Sequence, residues 1–351
     1  MSEVVDEFYG FKMMNVNIAG WLATFRAALP GLSACFVVAM AARFLADHYG
    51  APVMLFALLL GIAFHFLSEE GACRQGIAVA SSTILRVGVA LLGIRIAYED
   101  IVTLGFAPVL VVTIGSSLTV MFGIVLARAM GLRGLGVLTG GAVAICGASA
   151  ALAISAVLPP HPETERNTIF TVIAVTTLST MTMVLYPIIA VVLGLSESQT
   201  GVFLGATIHD VAQVVGAGYS VSENSGDIAT FTKLLRVALL VPLVFSLSLV
   251  IRSQTGAAAG RRVPSLPVFL VGFVCLIVLN SFGLFSPAVV SFTSQLSGWC
   301  LVVAIAALGM KTSFKELAQI GVRPIALVVA ETGFIAILCL GILWWLRVSA
   351  S

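Results

Sequence analysis

This chain is short of charge. Only 10% of its 351 residues are Asp, Glu, Lys or Arg, against 60% that are hydrophobic, whereas a soluble domain is about one-quarter charged. With a mean hydropathy of +1.11, that shortage excludes a water-soluble domain and leaves an integral membrane protein. Alternating ten-residue strands are missing too, which excludes a transmembrane barrel. The six cysteines, at 35, 73, 146, 275, 300 and 339, form no CxxC pair, so neither a disulfide framework nor a metal site is expected. The chain contains no GxxxxGK[ST], HExxH or GxSxG. The phosphate cradle of an ATP-driven pump and the common hydrolase signatures are therefore absent. The formal net charge of +2 comes from basic residues dispersed among loops, so nucleic acid is not an expected partner, and no cofactor is expected.

What is present is a succession of apolar runs, each about 17–25 residues long and able to cross a hydrocarbon core of roughly 30 Å as a helix. Eleven candidate spans fall near 27–46, 52–67, 77–97, 106–129, 134–157, 167–193, 201–221, 228–251, 264–283, 287–310 and 323–346. The second is short, and the fifth and seventh are rich in Gly, Ala and Ser, which suits discontinuous helices better than straight crossings. The expected fold is all-α and polytopic, with about 10–11 transmembrane helices in one domain over 27–347 after an N-terminal cytoplasmic segment, 1–26. Glu3, Asp6, Glu7 and Lys12 do not suit a cleavable signal peptide. Eleven basic residues on the N-terminal side against six on the other place the N-terminus in the cytoplasm.

An internal repeat supports a transporter architecture. ALLGIRIAYEDIVTLGFAPVLVV, 90–112, lies without a gap on AALGMKTSFKELAQIGVRPIALV, 306–328. Ala90, Leu92, Gly93, Gly105 and Pro108 meet Ala306, Leu308, Gly309, Gly321 and Pro324, while Arg95 meets Lys311 and Asp100 meets Glu316. The copies end the third and tenth spans, so they run antiparallel and read as an inverted repeat. A weaker echo joins 131–142 to 194–207, in spans two apart and hence parallel.

Ionisable groups inside a span cost about 2.5–3.5 kcal/mol at mid-bilayer and point to function. Thr207, Asp210 and Gln213 stand at i, i+3 and i+6, and His209, Gln213 and Gly216 at i, i+4 and i+7. On one helix they form a polar arc bracketed by glycines, which lines a cavity or bonds neighbouring helices. Small residues from Cys146 to Ala151, Gly147 and Ser149 among them, either pack tightly or let a helix unwind and present N–H groups to an anion. Lys233 and Arg236, near the start of the eighth span, face an anion or snorkel to the interface. Arg86 needs a partner, and Asp210 and Glu331 are the intramembrane carboxylates on offer. His65 and Glu331 read as single polar packing residues.

With these stretches in hand, the chain resembles the sulfate exporter family of bacterial inner-membrane proteins. The resemblance rests on LRVGVALLGIRI (85–96), AICGASAALA (144–153), GATIHDVAQVVGAG (205–218) and KLLRVALLVP (233–242). More distantly the chain is similar to the superfamily of bile acid symporters and sodium/proton antiporters. That implies an inner-membrane transporter with inverted repeats and broken helices crossing at mid-membrane. The motif positions carried over are Arg86, Arg95, Cys146, Gly147, Ser149, His209, Asp210, Lys233 and Arg236.

The function expected is secondary transport of a small anion, of sulfate, organosulfonate or carboxylate type, by alternating access. Helix breaks near Cys146–Ala150 and Gly216–Gly218 would supply N–H donors, and Lys233 and Arg236 would offset the anion's charge. His209 with Asp210 would sense protons or help bind a cation. The partners are the anion, a coupling proton or sodium ion and the lipid bilayer, with a homodimer left open. A passive channel is the alternative; an enzyme is not expected, because His209 and Asp210 point about 100° apart on a helix and lack a nucleophile.

Overall fold

The computed structural model describes residues 18–49, 52–69, 71–96, 104–132, 134–158, 162–255, 267–312 and 322–349. Every regular element among them is helical, as an apolar chain requires, because lipid offers no partner for an open N–H or C=O group. Among the described residues, seven helical spans are long and apolar enough to cross a membrane, and four shorter apolar helices accompany them.

The first compact unit holds residues 1–103, 215–221 and 267–313. In it lie α1 (Ile18–Tyr49), α2 (Val53–Ala63), α3 (Arg74–Arg95), α12 (Val268–Ser281) and α13 (Pro287–Lys311). The second holds 104–214, 222–266 and 314–351, with α4 (Ala107–Ala129), α5 (Gly136–Ala144), α6 (Ala148–Val157), α7 (Pro162–Val192), α8 (Glu197–Thr207), α10 (Glu223–Ala238), α11 (Leu240–Thr255) and α14 (Val322–Ser349). Helix α9 (Val211–Val221) is divided between them at Val214.

The shift that lays residue 90 on 306 also carries α2, α3 and α4 onto α12, α13 and α14. Within the first unit the partners are exchanged. A Cβ at Gly93, ending α3, would stand 2.3 Å from the Phe273 carbonyl of α12, and one at Gly309 of α13 would stand 2.4 Å from the Leu58 carbonyl of α2. Within the second unit α4 packs directly against α14. The intervening stretches, 97–103 and 313–321, lie outside the described residues, as do the acidic residues before Ile18.

The fifth and seventh expected spans are each two helices, α5 with α6 and α8 with α9. The first interruption falls at Ile145–Gly147, overlapping the expected break near Cys146–Ala150 at its start only, because the helix resumes at Ala148. The second does not fall at Gly216–Gly218, which are buried inside α9, but at Ile208–Asp210. Ile208 is extended (φ −66°, ψ 139°), so Thr207, Asp210 and Gln213 do not share a helical arc. Nor do Lys233 and Arg236 start a span: they occupy the last turns of α10, which ends where Pro242, lacking an N–H, interrupts the ladder before α11.

Candidate functional site

The two interruptions meet within the second unit. An ideal Cβ on Gly147 would lie 3.4 Å from the His209 Cβ and 3.5 Å from Val175. Gly147 adopts φ 61° and ψ −123°, a conformation that only glycine enters without strain. It turns the chain between the C=O end of α5 and the N–H end of α6.

Two cations hold the C=O ends. Lys233 Nζ donates to the carbonyls of Ile145 (2.7 Å), Ile208 (2.9 Å) and His209 (2.5 Å), so one ammonium joins both interruptions and uses all three of its protons. Arg236 donates from Nε to Ala144 (2.6 Å), from one terminal nitrogen to Ile208 (3.0 Å) and from the other to Val143. Ser116 of α4 adds a bond to the Ala144 carbonyl at 2.9 Å. Both cationic side chains are fully buried, which rules out snorkelling. The physical reason is the pair of helix C-termini: each presents carbonyls with no intrahelical partner and roughly half a negative charge.

The N–H ends are treated differently. Asp210 Oδ1 accepts from the Ala212 N–H at 2.8 Å and caps α9, while the Asp210 N–H donates to Ser179 Oγ of α7 at 3.0 Å. Helix α6 has no side-chain cap, and half-buried Ser149 lies in its first turn beside buried Cys146. The structure therefore brings Cys146, Gly147, Ser149, Thr207, His209, Asp210, Gln213, Lys233 and Arg236 into one unit. Thr207 bonds back to the Phe203 carbonyl at 2.6 Å.

Arg86 is the exception among the expected site residues, because α3 belongs to the first unit, whereas Asp210 and Glu331 belong to the second. Arg95, also in the first unit, lies 5.7 Å from the ring centroid of Tyr219. His65 closes the end of α13 there, its Nδ1 standing 2.6 Å from the Met310 carbonyl.

His209 and Gln213 reach buried hydroxyls that sequence reasoning did not connect to them. His209 Nε2 stands 3.0 Å from Thr332 Oγ1, whose own proton goes to the Val328 carbonyl at 2.8 Å. Thr332 therefore accepts, and Nε2 carries a proton. His209 Nδ1 and Gln213 Oε1 are buried with no hydrogen-bond partner among the described residues, while Gln213 Nε2 donates to Thr180 at 3.0 Å. Thr332 lies 123 residues from His209, and a lone threonine in an apolar span carries no signal that would have paired the two. Among the described residues no three His, Cys, Asp or Glu side chains gather as metal ligands would.

The family profile described as "Conserved hypothetical protein 698" matches residues 30–328. The chain is 55% identical over 322 residues to the UPF0324 membrane protein CT0845 of Chlorobaculum tepidum, covering 90% of this chain and 89% of the relative. It is 52% identical to the UPF0324 membrane protein RB0971 of Rhizobium meliloti, over 90% and 93% of the two chains. With the UPF0324 membrane protein TauZ of Paracoccus denitrificans it shares 50% identity over 89% and 93%. No solved structure matches the chain. Matched by the profile from residue 30 to 328 and at least half identical to these three proteins, the chain belongs to the UPF0324 family of membrane proteins.

Proposed function

We propose that this protein is a secondary transporter, not an enzyme, that moves a small anion of sulfate, organosulfonate or carboxylate type across the bacterial inner membrane by alternating access. Its N-terminus faces the cytoplasm by the excess of basic residues on that side. The observation that carries the reading is the balance of charge where the two broken helices meet. Lys233 and Arg236 contribute two positive charges and Asp210 one negative. The two C-terminal ends contribute roughly half a negative charge each, and the N-terminal ends of α6 and α9 roughly half a positive charge each. The sum is roughly one positive charge, and the uncapped N–H groups of α6 are the place where an anion finds donors. Lys233 acts through the helix ends it joins, since its protons are all engaged, whereas Arg236 keeps two N–H groups beyond the three donors described above.

Flux of labelled sulfate, methanesulfonate and succinate into proteoliposomes tests this, with and without imposed proton or sodium gradients. Saturable uptake of at least one probe, accelerated by counter-loading the vesicles with the same anion, is expected. Flux that is neither saturable nor accelerated by exchange would make the protein a channel.

A further inference from the structure

Glu331, on α14, is fully buried, and the anion reading leaves it without a task. Its Oε1 lies 2.9 Å from Thr139 Oγ1 of α5, and its Oε2 has no hydrogen-bond partner among the described residues. The space is shaped for the carboxyl: a Cβ on Gly123 of α4 would lie 2.5 Å from Oε1 and 3.2 Å from the carboxyl carbon. Thr139 Oγ1 is also 3.2 Å from the Leu135 carbonyl. A hydroxyl has one proton to give. If Thr139 gives it to Leu135, Glu331 must be the donor to Thr139, and the neutral acid then completes the chain of bonds. An ionised carboxylate here would have one hydroxyl for company, and lone buried carboxylates are not kept in that form without a counter-charge.

Among the described residues, no charged side chain of the elements packed on α14 forms an ion pair with the carboxyl. Helix α5 carries no titratable residue, and the one charge of α4, Arg128, is exposed. Glu197 of α8 is exposed in its first turn. Helix α7 has its charges, Glu163, Glu165 and Arg166, at its start, and its Tyr186 hydroxyl donates to the Thr332 carbonyl at 3.4 Å. His209 is held by Thr332, and on α14 itself Arg323 is exposed while Cys339 lies two turns on. Thr139 is five residues from Ala144, whose carbonyl Arg236 caps, so the carboxyl sits about 7–8 Å along α5 from the cationic clasp.

We infer that Glu331 is the proton-binding site of the transport cycle: it is neutral while an anion occupies the helix crossing and releases its proton when the anion leaves, so that proton and anion travel together. The inference rests on the proposed anion transport. With roughly one positive charge at the crossing, an ionised Glu331 would cancel the charge that holds the anion, whereas the neutral acid preserves it.

Infrared difference spectra of the wild-type protein in lipid, recorded in H2O and D2O, should show the carbonyl stretch of a buried carboxylic acid. E331Q should lack that band, and T139V, which keeps the carboxyl and removes its hydroxyl partner, should shift it. In proteoliposomes, the dependence of anion flux on an imposed pH gradient should be lost in E331Q. A spectrum that neither substitution changes overturns the proton site, and wild-type gradient dependence in E331Q overturns its coupling role. Wild-type flux driven by sodium and indifferent to pH also overturns the coupling role. If none of the three anions moves through the wild-type protein, the transport reading fails, while the E331Q and T139V spectra still decide whether Glu331 holds a proton.

Discussion

The interruptions at Ile145–Gly147 and Ile208–Asp210 solve the same problem by different means. Glycine at positive φ turns the first, and an extended isoleucine followed by a carboxylate cap turns the second. On the C=O side they are handled alike, since Lys233 and Arg236 reach both. On the N–H side one end is closed by the protein's own Asp210 and the other has no side-chain cap. The difference teaches that the main-chain carbonyls at both helix C-termini are taken up by two buried cations, whereas of the two N-termini only that of α9 is closed by a side chain.

The largest effect should come from removing the shared element. Lys233→Met deprives the Ile145 and His209 carbonyls of their donor, and two orphaned buried acceptors cost about 2–6 kcal/mol. Thermal unfolding in detergent should register that loss, with flux abolished. Gly147→Ala breaks only the first interruption. Backbone strain of about 1–3 kcal/mol is expected, and a Tm equal to wild type would mean that the turn can be made without glycine. Asp210→Asn tests the second, because it keeps the capping oxygen and discards the charge. Stability should change by less than about 1 kcal/mol, while anion affinity rises, one negative charge having been taken away; a weaker KM would contradict the charge balance. Ser149→Ala is the mildest, with stability within about 0.5 kcal/mol of wild type and a raised KM for the transported anion as its mark.

Much of this crossing is legible in the letters, and the illegible part has a definite cause. The run Cys146–Ala151 marks the neighbourhood of the first break, which spans Ile145–Gly147, while Ala148–Ala151 already form the first turn of α6. At the second, glycines at 216 and 218 attract the eye, but a buried glycine serves a packed helix as well as a broken one. The better signal is Asp210 followed three residues later by Gln213, the spacing of a helix start, although Gln213 spends its amide on Thr180 instead of closing the box. The charges at 233 and 236 were visible as expensive, yet their partners are main-chain carbonyls, which every residue has and no letter records. Glu331 reads as an isolated packing residue because the glycine that makes room for it and the threonine that bonds it lie about 200 residues earlier.

The clasp also sets an order of assembly. Ile145 precedes Lys233 by 88 residues, so during N-to-C synthesis α5 and α8 leave the ribosome before the cationic side chains that hold their C=O ends exist. Until α10 emerges, those carbonyls have to stay with water or the insertion machinery, because lipid would strand them. Helix α10 is therefore the late keystone of the clasp: a nascent chain halted at Val221 would leave the Val143, Ile145, Ile208 and His209 carbonyls without their cationic donors.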